Sequence, residues 1–316
     1  MSERPMIQAR LSHVGLRAPE AEPLQRFYQD VVGMSLHEEV EGTSRLGWGL
    51  GHHALEISSG EAGLDHFALE LPDLAQLDVL TGRLERLGVA VAEEQYVGDH
   101  PTTFGVEDPD GNRIELHGRV DRSGERVADA GRRPVRVHHV TLATRSMASM
   151  VDFYVEVLGF RVSDRMEDKF TWLRCNREHH TVAIVESDDP RRLDHYAFEL
   201  GGWEDFKTWC DELAVRDVPV RWGPGRHGPG NNLFIFFDDA AGFHVELSSE
   251  LERYWDDVAD YTPRLWKAEA RTTNLWGSKP DWREQASGGK EDPATQSSGG
   301  PGATREEGLL SEGARR

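Results

Sequence analysis

Three residues in the second half of the chain, His139, His195 and Glu246, are of the types that ligate transition metals. Each lies in a stretch of alternating apolar and polar residues, a pattern typical of a β-strand whose successive side chains face opposite sides. Each candidate points away from its apolar neighbours, so we expect the three side chains to face one hollow. Two imidazoles and one carboxylate leave open positions on an octahedral Fe(II), and the same ligands also suit Mn(II) and Zn(II).

The first half of the chain repeats this pattern. Residues 64–71 read Leu-Asp-His-Phe-Ala-Leu-Glu-Leu, and residues 193–200 read Leu-Asp-His-Tyr-Ala-Phe-Glu-Leu. A repeat with so long a period indicates two copies of one domain. The counterparts of the three candidate ligands are His13, His66 and Glu115. They predict either a second metal site or a vestigial polar cavity, and the sequence leaves both alternatives open.

The elements that must position these residues follow one plan, a strand, a helix and three further strands. In the first unit, residues 7–17 alternate as a strand, and the next apolar periodicity predicts a helix that ends at Gly33. The plan occurs four times, over residues 7–58, 64–117, 135–186 and 192–249. The predicted fold class is therefore α+β, with two tandem domains, each a pair of βαβββ modules forming a half-open curled sheet around a metal site.

This plan gives the domain organisation. We expect an N-terminal domain over residues 1–118, a charged linker over 119–134 and a second domain, which carries the candidate ligands, over 135–250. Residues 251–276 hold three tryptophans and are predicted to pack back on the body. Residues 277–316 are rich in Gly, Ser, Pro and Glu, a composition typical of a disordered tail.

Composition narrows the partners. The formal charge of −20 disfavours a nucleic-acid partner, because each phosphate contact would be made in a repulsive field. Cys175 and Cys210 fit no zinc spacing and no disulfide framework, which is typical of a reduced intracellular protein. The sequence has neither a membrane-spanning apolar run nor the apolar core of a signal peptide near residue 1. We therefore expect a cytoplasmic protein without a membrane partner.

At these residues the chain resembles the type I extradiol ring-cleavage dioxygenases of the vicinal oxygen chelate superfamily, over about residues 7–250. The resemblance implies that His139, His195 and Glu246 bind Fe(2+), with Mn(2+) as the alternative. It also implies a small catecholic substrate and O2, whose two atoms enter the product when the ring of a substituted catechol is cleaved next to the diol. Assembly is common in the family, so a homo-oligomer is expected on that basis.

The resemblance also assigns two catalytic histidines. The stretch Cys175-Asn-Arg-Glu-His-His-Thr-Val-Ala183 is similar to the segment that bears the family's acid/base histidine, which falls on His180. Residues 223–228 are similar to a loop that bears a second active-site histidine, which falls on His227. A histidine titrating near neutrality suits proton transfer from a catechol, and a second one suits hydrogen bonding to the substrate oxygen or the developing anion. For either residue alone, a surface loop histidine is the alternative.

Three aromatic residues are candidates for the substrate pocket. Phe170 and Trp172 share one face of a predicted strand, and the resemblance implies an aromatic pocket wall near Trp172. The alternative is that Trp172 belongs to the core. Phe236 stands where the family usually has a tyrosine, so one hydrogen-bond donor near the substrate is lost.

Two other functions remain open from the sequence. One is a different metal-dependent enzyme of the same superfamily, such as a glyoxalase-like isomerase or a thiol transferase, which would work without consuming O2. The other is a protein that binds a small aromatic ligand without turnover.

Overall fold

The computed structural model describes residues 7–48, 53–94, 103–120, 133–189, 191–255 and 261–277. The first half forms β1 Arg10–Ala18, α1 Ala21–Asp30, β2 Ser35–Val40, β3 Thr43–Gly47, β4 Leu55–Ser59, β5 Gly63–Glu70, α2 Leu74–Arg86, β6 Ala92–Glu94, β7 Thr103–Glu107 and β8 Arg113–His117. The second half forms β9 Arg136–Thr144, α3 Met147–Asp152 with a π-helical continuation Phe153–Leu158, β10 Arg161–Met166, β11 Phe170–Arg174, β12 Val182–Glu186, β13 Leu193–Glu199, α4 Trp203–Val215, β14 Trp222–Arg226, β15 Leu233–Asp238 and β16 His244–Ser249. Two short elements follow, β17 Arg264–Trp266 and α5 Ala270–Thr273.

Each half of the chain builds one mixed sheet. The first sheet has the order β2-β3-β4-β1-β5-β8-β7-β6, and the second has the order β14-β15-β16-β13-β9-β12-β11-β10-β17. In both sheets the first strands of the two modules pair antiparallel at the centre, while each pairs in parallel with the last strand of its own module. The predicted α+β class with two tandem pairs of βαβββ modules is confirmed.

Alternation along the central strands separates core from site. Val140 and Leu142 of β9, like Tyr196 and Phe198 of β13, are fully buried in the apolar core. The intervening residues of the same strands face the opposite side, and His139 is among them. The apolar face is covered by helices that contribute Leu24, Leu77, Phe206 and Leu213, among others, to the same core. The helices thus leave the concave face of each sheet for polar residues.

Two reciprocal hydrogen bonds join the halves. The hydroxyl of Tyr28 in α1 donates to Oδ2 of Asp239 at 2.6 Å, and Tyr196 also contacts both groups. The hydroxyl of Tyr154 donates in the same way to Oδ2 of Asp108, at 3.1 Å. Each aspartate begins a tight turn, and its Oδ1 accepts hydrogen bonds from two backbone N–H groups of that turn. The duplicated sequence therefore also duplicates the contact between its copies.

The C-terminal extension meets the second sheet along one edge. It does join the body, because β17 pairs in parallel with β10 and extends the second sheet. Trp266 packs against Met166, Phe170 and Trp172. The other two tryptophans of the extension are more exposed, Trp255 at 96% and Trp276 at 53%.

Some predicted segments lie outside the described residues. These are most of the linker, at 121–132, and the tail beyond Gly277. Among the residues that are described, no helix is long and apolar enough to span a bilayer.

Candidate metal centre

Three adjacent central strands bring the predicted ligands of the second half together. His139 lies on β9, His195 on β13 and Glu246 on β16, and each is at most 6% exposed. Oε2 of Glu246 lies 3.0 Å from Nε2 of His139 and 3.2 Å from Nε2 of His195. One ligand atom from each of the three lies within 4.8 Å of the others. The structure thus places the three side chains as the sequence predicts.

The second oxygen of Glu246 is held from behind. The side-chain amide of Asn232, itself fully buried, donates to Oε1 of Glu246 at 3.0 Å and to Oγ of Ser248 at 2.9 Å. Burial raises the pKa of Glu246, but the neighbouring His139, His195 and His227 outweigh it and hold that pKa well below its usual range. The carboxylate is therefore ionised and presents Oε2 to the two imidazoles.

A β-bulge fixes the orientation of His195. The pairing of β13 with β9 shifts register between Leu193 and His195, so Asp194 is an extra residue at this point. Its Oδ1 lies 2.6 Å from Nδ1 of His195. A carboxylate can only accept, so the ring nitrogen facing it carries the hydrogen and Nε2 is the nitrogen left to bind at the centre. Sequence reasoning missed this role, although Asp precedes His in both copies of the repeat.

This donor set fits a divalent metal ion. Metal–ligand bonds of about 2.1 Å place neighbouring ligand atoms roughly 3.0 to 3.4 Å apart. The distances from Oε2 of Glu246 to the two imidazoles lie within this range. On β12, Ala183 pairs with Thr141, which follows His139 by two residues on β9. The methyl group of Ala183 offers no further ligand. The set is therefore the open face of two histidines and one carboxylate that suits Fe(II), Mn(II) or Zn(II).

The predicted acid/base residue His180 lies beside the centre. Its ring centroid is 4.3 Å from that of His139, and the residue is buried. Nδ1 of His180 lies 3.0 Å from Nδ1 of His179, and Nε2 of His179 lies 3.0 Å from Oδ2 of Asp164. Burial, with the neighbouring histidines, lowers the pKa of His180 well below its ordinary value. The ring is therefore neutral, at one end of a row of three groups.

The row is anchored by the C-terminal extension. Arg264 donates from Nε to Oδ1 of Asp164 at 2.9 Å, and the indole of Trp266 donates to Oδ2 at 2.9 Å. His179 and Asp164 were not identified from the sequence, because their contacts join segments that are distant in the chain. The adjacent histidines at 179 and 180 were the one local signal.

The predicted histidine His227 also reaches the centre. Nδ1 of His227 lies 2.5 Å from the backbone carbonyl of Thr273, and Nε2 lies 3.6 Å from Oε1 of Glu246. The carbonyl accepts, so Nδ1 carries a hydrogen, and Nε2 carries one only in the protonated ring. The ring stacks on Phe234 at a centroid distance of 3.9 Å. Its position is thus fixed by a residue of the extension that the sequence did not indicate.

A narrow cavity opens in front of these groups. All the predicted site residues of the second half line it, together with Thr141, Trp222, Pro229 and Thr273. The rings of Phe170 and Trp172 stack at 4.2 Å, and Phe236 lies edge-on to His195 at 5.1 Å. The cavity is therefore walled by aromatic rings and closed on one side by the extension. Trp172 is also buried in an apolar cluster. It therefore belongs both to the core and to the wall of the cavity.

The three predicted residues of the first half also converge. Nε2 of His13 lies 3.1 Å from Nε2 of His66 and 3.6 Å from Oε2 of Glu115, and Nε2 of His66 lies 3.7 Å from Oε1 of Glu115. His53 approaches His13 with a ring-centroid distance of 4.3 Å, as His180 approaches His139. In the sequence, Gly98-Asp-His100 of the first half corresponds to Gly225-Arg-His227 of the second, and His100 lies outside the described residues. The structure adds Glu56, which groups with His13 and His66 and which was not identified from the sequence.

Comparison with known proteins identifies the family. The profile of the Glyoxalase/Bleomycin resistance protein/Dioxygenase superfamily matches residues 10–116 and 136–247. The chain belongs to this superfamily. Each match covers one of the two sheets, so the duplication is a property that the family profile also detects.

Named relatives within the superfamily are ring-cleaving enzymes. The manganese-dependent 2,3-dihydroxybiphenyl 1,2-dioxygenase of Geobacillus genomosp. 3 is 25% identical, over 91% of this chain and 98% of that protein. The iron-dependent extradiol dioxygenase of Rhodococcus jostii is 29% identical, over 66% of this chain and 75% of the relative. The match to Metapyrocatechase 2 of Cupriavidus necator, 29% identical over 54% of this chain, spans only 59% of that relative. The predicted resemblance to extradiol dioxygenases is confirmed.

A solved structure with a different name is also similar. The Mn(II)-bound glyoxalase from Novosphingobium aromaticivorans superposes with a TM-score of 0.76 at 29% identity, over 88% of this chain and 94% of that one. The fold is therefore shared over most of the chain, while the names of the similar proteins differ in activity.

Proposed function

We propose that the chain is an extradiol dioxygenase that cleaves a substituted catechol next to its diol and inserts both atoms of O2 into the product. The observation that carries this proposal is the convergence of His139, His195 and Glu246 on one point at the wall of an aromatic cavity. The named activities of the ring-cleaving relatives support it. In the reaction a carbon–carbon bond of the ring breaks, and the two new carbon–oxygen bonds use one O2 without any external reductant.

We assign Fe(II) to the three ligands, with Mn(II) as the alternative. Two nitrogens and one oxygen suit both ions, and the relatives named as iron-dependent and manganese-dependent are both similar to this chain. When bound, the ion supplies the site at which the diol and dioxygen meet and through which electrons pass between them. The remaining steps belong to the protein's own side chains.

His180 takes a proton from the catechol in this proposal. Because the carboxylate of Asp164 accepts from His179, neutral His179 accepts in turn at Nδ1 from Nδ1–H of His180. Nε2 of His180 is then unprotonated and lies within the lining of the cavity. A neutral, oriented imidazole at this position can accept a hydroxyl proton and return it later in the reaction.

His227 acts on the other side of the cavity. With Nδ1 committed to the carbonyl of Thr273, Nε2 is the atom that meets the substrate. A hydrogen on Nε2 can be donated to a substrate oxygen, at a point 3.6 Å from Oε1 of Glu246. Donation to an oxygen that gains negative charge stabilises that charge.

The aromatic wall selects the substrate class. Phe170, Trp172 and Phe236 present ring faces and edges, and among the described residues the lining contains no Asp, Lys or Arg and no Glu other than Glu246. Such a wall favours a catechol with an apolar or aromatic substituent. The cytoplasmic location and the homo-oligomer remain predictions of the sequence.

A glyoxalase-like isomerase is the second candidate. The similarity to the Mn(II)-bound glyoxalase favours it, at an identity equal to that of the iron-dependent dioxygenase. Consumption of O2 separates the two reactions.

The test uses metal-free full-length protein loaded anaerobically with Fe(II) or Mn(II). A panel of substituted catechols is added, followed by air, and oxygen uptake and the absorbance of yellow ring-opened product are recorded. We expect one O2 consumed per product, and no product from His195→Ala. Full metal content without product from any catechol would contradict the proposal, and turnover of a thiol adduct without O2 uptake would favour the isomerase.

A further inference from the structure

We propose that the N-terminal half binds a second divalent metal ion through four side chains, His13, Glu56, His66 and Glu115. The chain would then hold two ions with unlike coordination, three protein ligands in the second half and four in the first. This inference does not depend on the proposed ring cleavage, because it rests on residues of the other sheet.

The four side chains are buried and converge. His13 lies on β1, Glu56 on β4, His66 on β5 and Glu115 on β8, all less than 9% exposed. The two Nε2 atoms are 3.1 Å apart, and the nearest carboxylate oxygens lie 3.6 to 3.7 Å from them. One ligand atom each from His13, Glu56 and His66 lies within 4.8 Å of the others. These separations need contractions of only a few tenths of an ångström to suit metal bonds of about 2.1 Å.

The lone pair of His66 is directed at this centre by a carboxylate. Oδ2 of Asp65 lies 2.8 Å from Nδ1 of His66, at a register shift between β1 and β5. Nδ1 therefore carries the hydrogen, and Nε2 is the nitrogen left to face Nε2 of His13 and a metal ion. Two neutral imidazoles this close can share only one hydrogen, whereas a cation gives both lone pairs a common partner. The carboxylate and imidazole pair is the arrangement that usually stands behind a metal-bound histidine.

Each carboxylate keeps one oxygen for the centre. Oε1 of Glu56 contacts Arg45 at 2.8 Å and His53 at 2.9 Å, while Oε2 faces His66. Arg113 contacts Oε1 of Glu115 at 2.9 Å, while Oε2 faces His13. The arginines thus hold the carboxylates as Asn232 holds Glu246 in the second half. Arg45 is itself shared with Glu38, which limits the positive charge beside the ion.

The two halves differ systematically at this point. Gly15 pairs with Glu56, whereas Thr141 pairs with Ala183. A Cβ atom on Gly15 would lie 2.3 Å from the ring of His66, so that ring occupies the space that a side chain on β1 would take. The side chain of Glu56 reaches the first centre from β4. At the corresponding position of β12, the methyl group of Ala183 leaves that side of the second centre open. The first half therefore offers two imidazoles and two carboxylates, a set suited to Mn(II), Zn(II) or Fe(II).

The test measures metal content of the full chain. Metal-free protein is incubated with two equivalents of Mn(II), desalted and analysed by elemental mass spectrometry, with circular dichroism as the check of folding. We expect about two ions per chain in the wild type, about one in His66→Ala or His195→Ala and none in the double variant. Glu56→Gln, which keeps the shape and the contact with Arg45, should also lower the content towards one.

Gly15→Ala is the second test, because it removes no ligand. Displacement of the His66 ring by the new Cβ should lower the manganese content to about one ion per chain. The double variant Gly15→Ala and His195→Ala should hold none. One ion per chain in the wild type that His195→Ala abolishes and His66→Ala does not change would overturn the proposal. Two ions, neither of them affected by Glu56→Gln or His66→Ala, would overturn it equally. One ion that His66→Ala removes and His195→Ala does not would support it and count against the metal centre of the second half.

Discussion

Ala183 in β12 occupies the position that Glu56 occupies in β4, so a methyl group in one half replaces a carboxylate in the other. The neighbouring strand shows the same exchange, with Trp172 paired to Ala183 where Arg45 is paired to Glu56. The difference decides which centre is open towards an aromatic cavity. Duplicated ligands thus have two different surroundings in one chain.

Ala183→Glu should close the second centre. A carboxylate at this position adds a ligand and occupies the side from which a catechol approaches, so we expect metal content to stay at the wild-type level while oxygen uptake falls by more than about 100-fold. Elemental analysis and an oxygen electrode measure the two quantities. Ala183→Gln is the matched control for size, and equal turnover in Ala183→Glu and the wild type would contradict the account.

Asp194→Asn should weaken the metal site without removing a ligand. The amide can no longer act as an anionic acceptor for Nδ1 of His195, and loss of such a partner costs about 10- to 100-fold in metal affinity. Competition with a metal-binding dye gives the affinity. Asp65→Asn is the control in the other half, and it should leave the affinity of the His195 centre unchanged.

His180→Gln should separate proton transfer from metal binding. Loss of a general base lowers kcat by about 10²- to 10⁴-fold, while KM for the catechol and the metal content should change little, because His180 is not a ligand. His179→Gln breaks the row to Asp164 and should lower kcat by a smaller factor with the same KM. A fall in metal content equal to the fall in kcat would show that these histidines serve the site only as structure.

Asp239→Asn should change how stability depends on pH. Burial raises the pKa of Asp239 to about 7, although backbone hydrogen bonds from Phe243 and Ala241 oppose the shift. The folded form therefore binds a proton that the unfolded chain releases near its ordinary pKa of about 3.9, so the free energy of unfolding falls as pH rises between these values. Each unit of that difference is worth about 1.4 kcal/mol.

The variant lacks this titration, so its free energy of unfolding should not show the fall that Asp239 causes in the wild type. The difference, variant minus wild type, should therefore increase from pH 5.5 to pH 7.5. Urea unfolding of metal-free protein at the two pH values measures it. Asp211→Asn, at an exposed position paired with Lys207, is the control. A difference between the Asp239 variant and the wild type that is the same at both pH values would contradict the shifted pKa.

Phe236→Tyr should restore a donor to the cavity. The ring lies edge-on to His195 within the lining, so a hydroxyl at its end can reach a substrate oxygen. We expect kcat for catechol cleavage to rise by about 2- to 10-fold, the effect of one hydrogen bond of roughly 0.5–1.5 kcal/mol. Steady-state oxygen uptake measures the change, and a fall in kcat at unchanged metal content would mean that the apolar ring is required.

Much of this architecture could be predicted from alternation alone. His139, His195 and Glu246 each stand opposite an apolar set, and period 2 sends all three to the same side of a sheet. The same rule fails at Asp194, because the bulge lets consecutive residues share a face. Glu56 lies between the buried Leu55 and Ile57, so alternation also directs its side chain away from the core, but the second half has no carboxylate to match it, because Ala183 stands at the corresponding position.

The contributions of the extension could not be predicted. Thr273 reaches His227, and Arg264 reaches Asp164, across 46 and 100 residues of sequence. No local period records such contacts, because they depend on where β17 docks on the edge of the second sheet. The sequence indicated that this segment packs, and the structure shows which of its residues meet the site.

The central claim is tested most directly by one turnover under labelled dioxygen. Fe(II)-loaded protein is bound anaerobically to a catechol that it accepts and is then exposed to ¹⁸O₂, and the ring-opened product is quenched rapidly and analysed by mass spectrometry. The account predicts a product heavier by two ¹⁸O atoms, formed in amounts equal to the metal held by His139, His195 and Glu246. An unlabelled product, or labelled product in undiminished amount from metal-loaded His195→Ala, would contradict it.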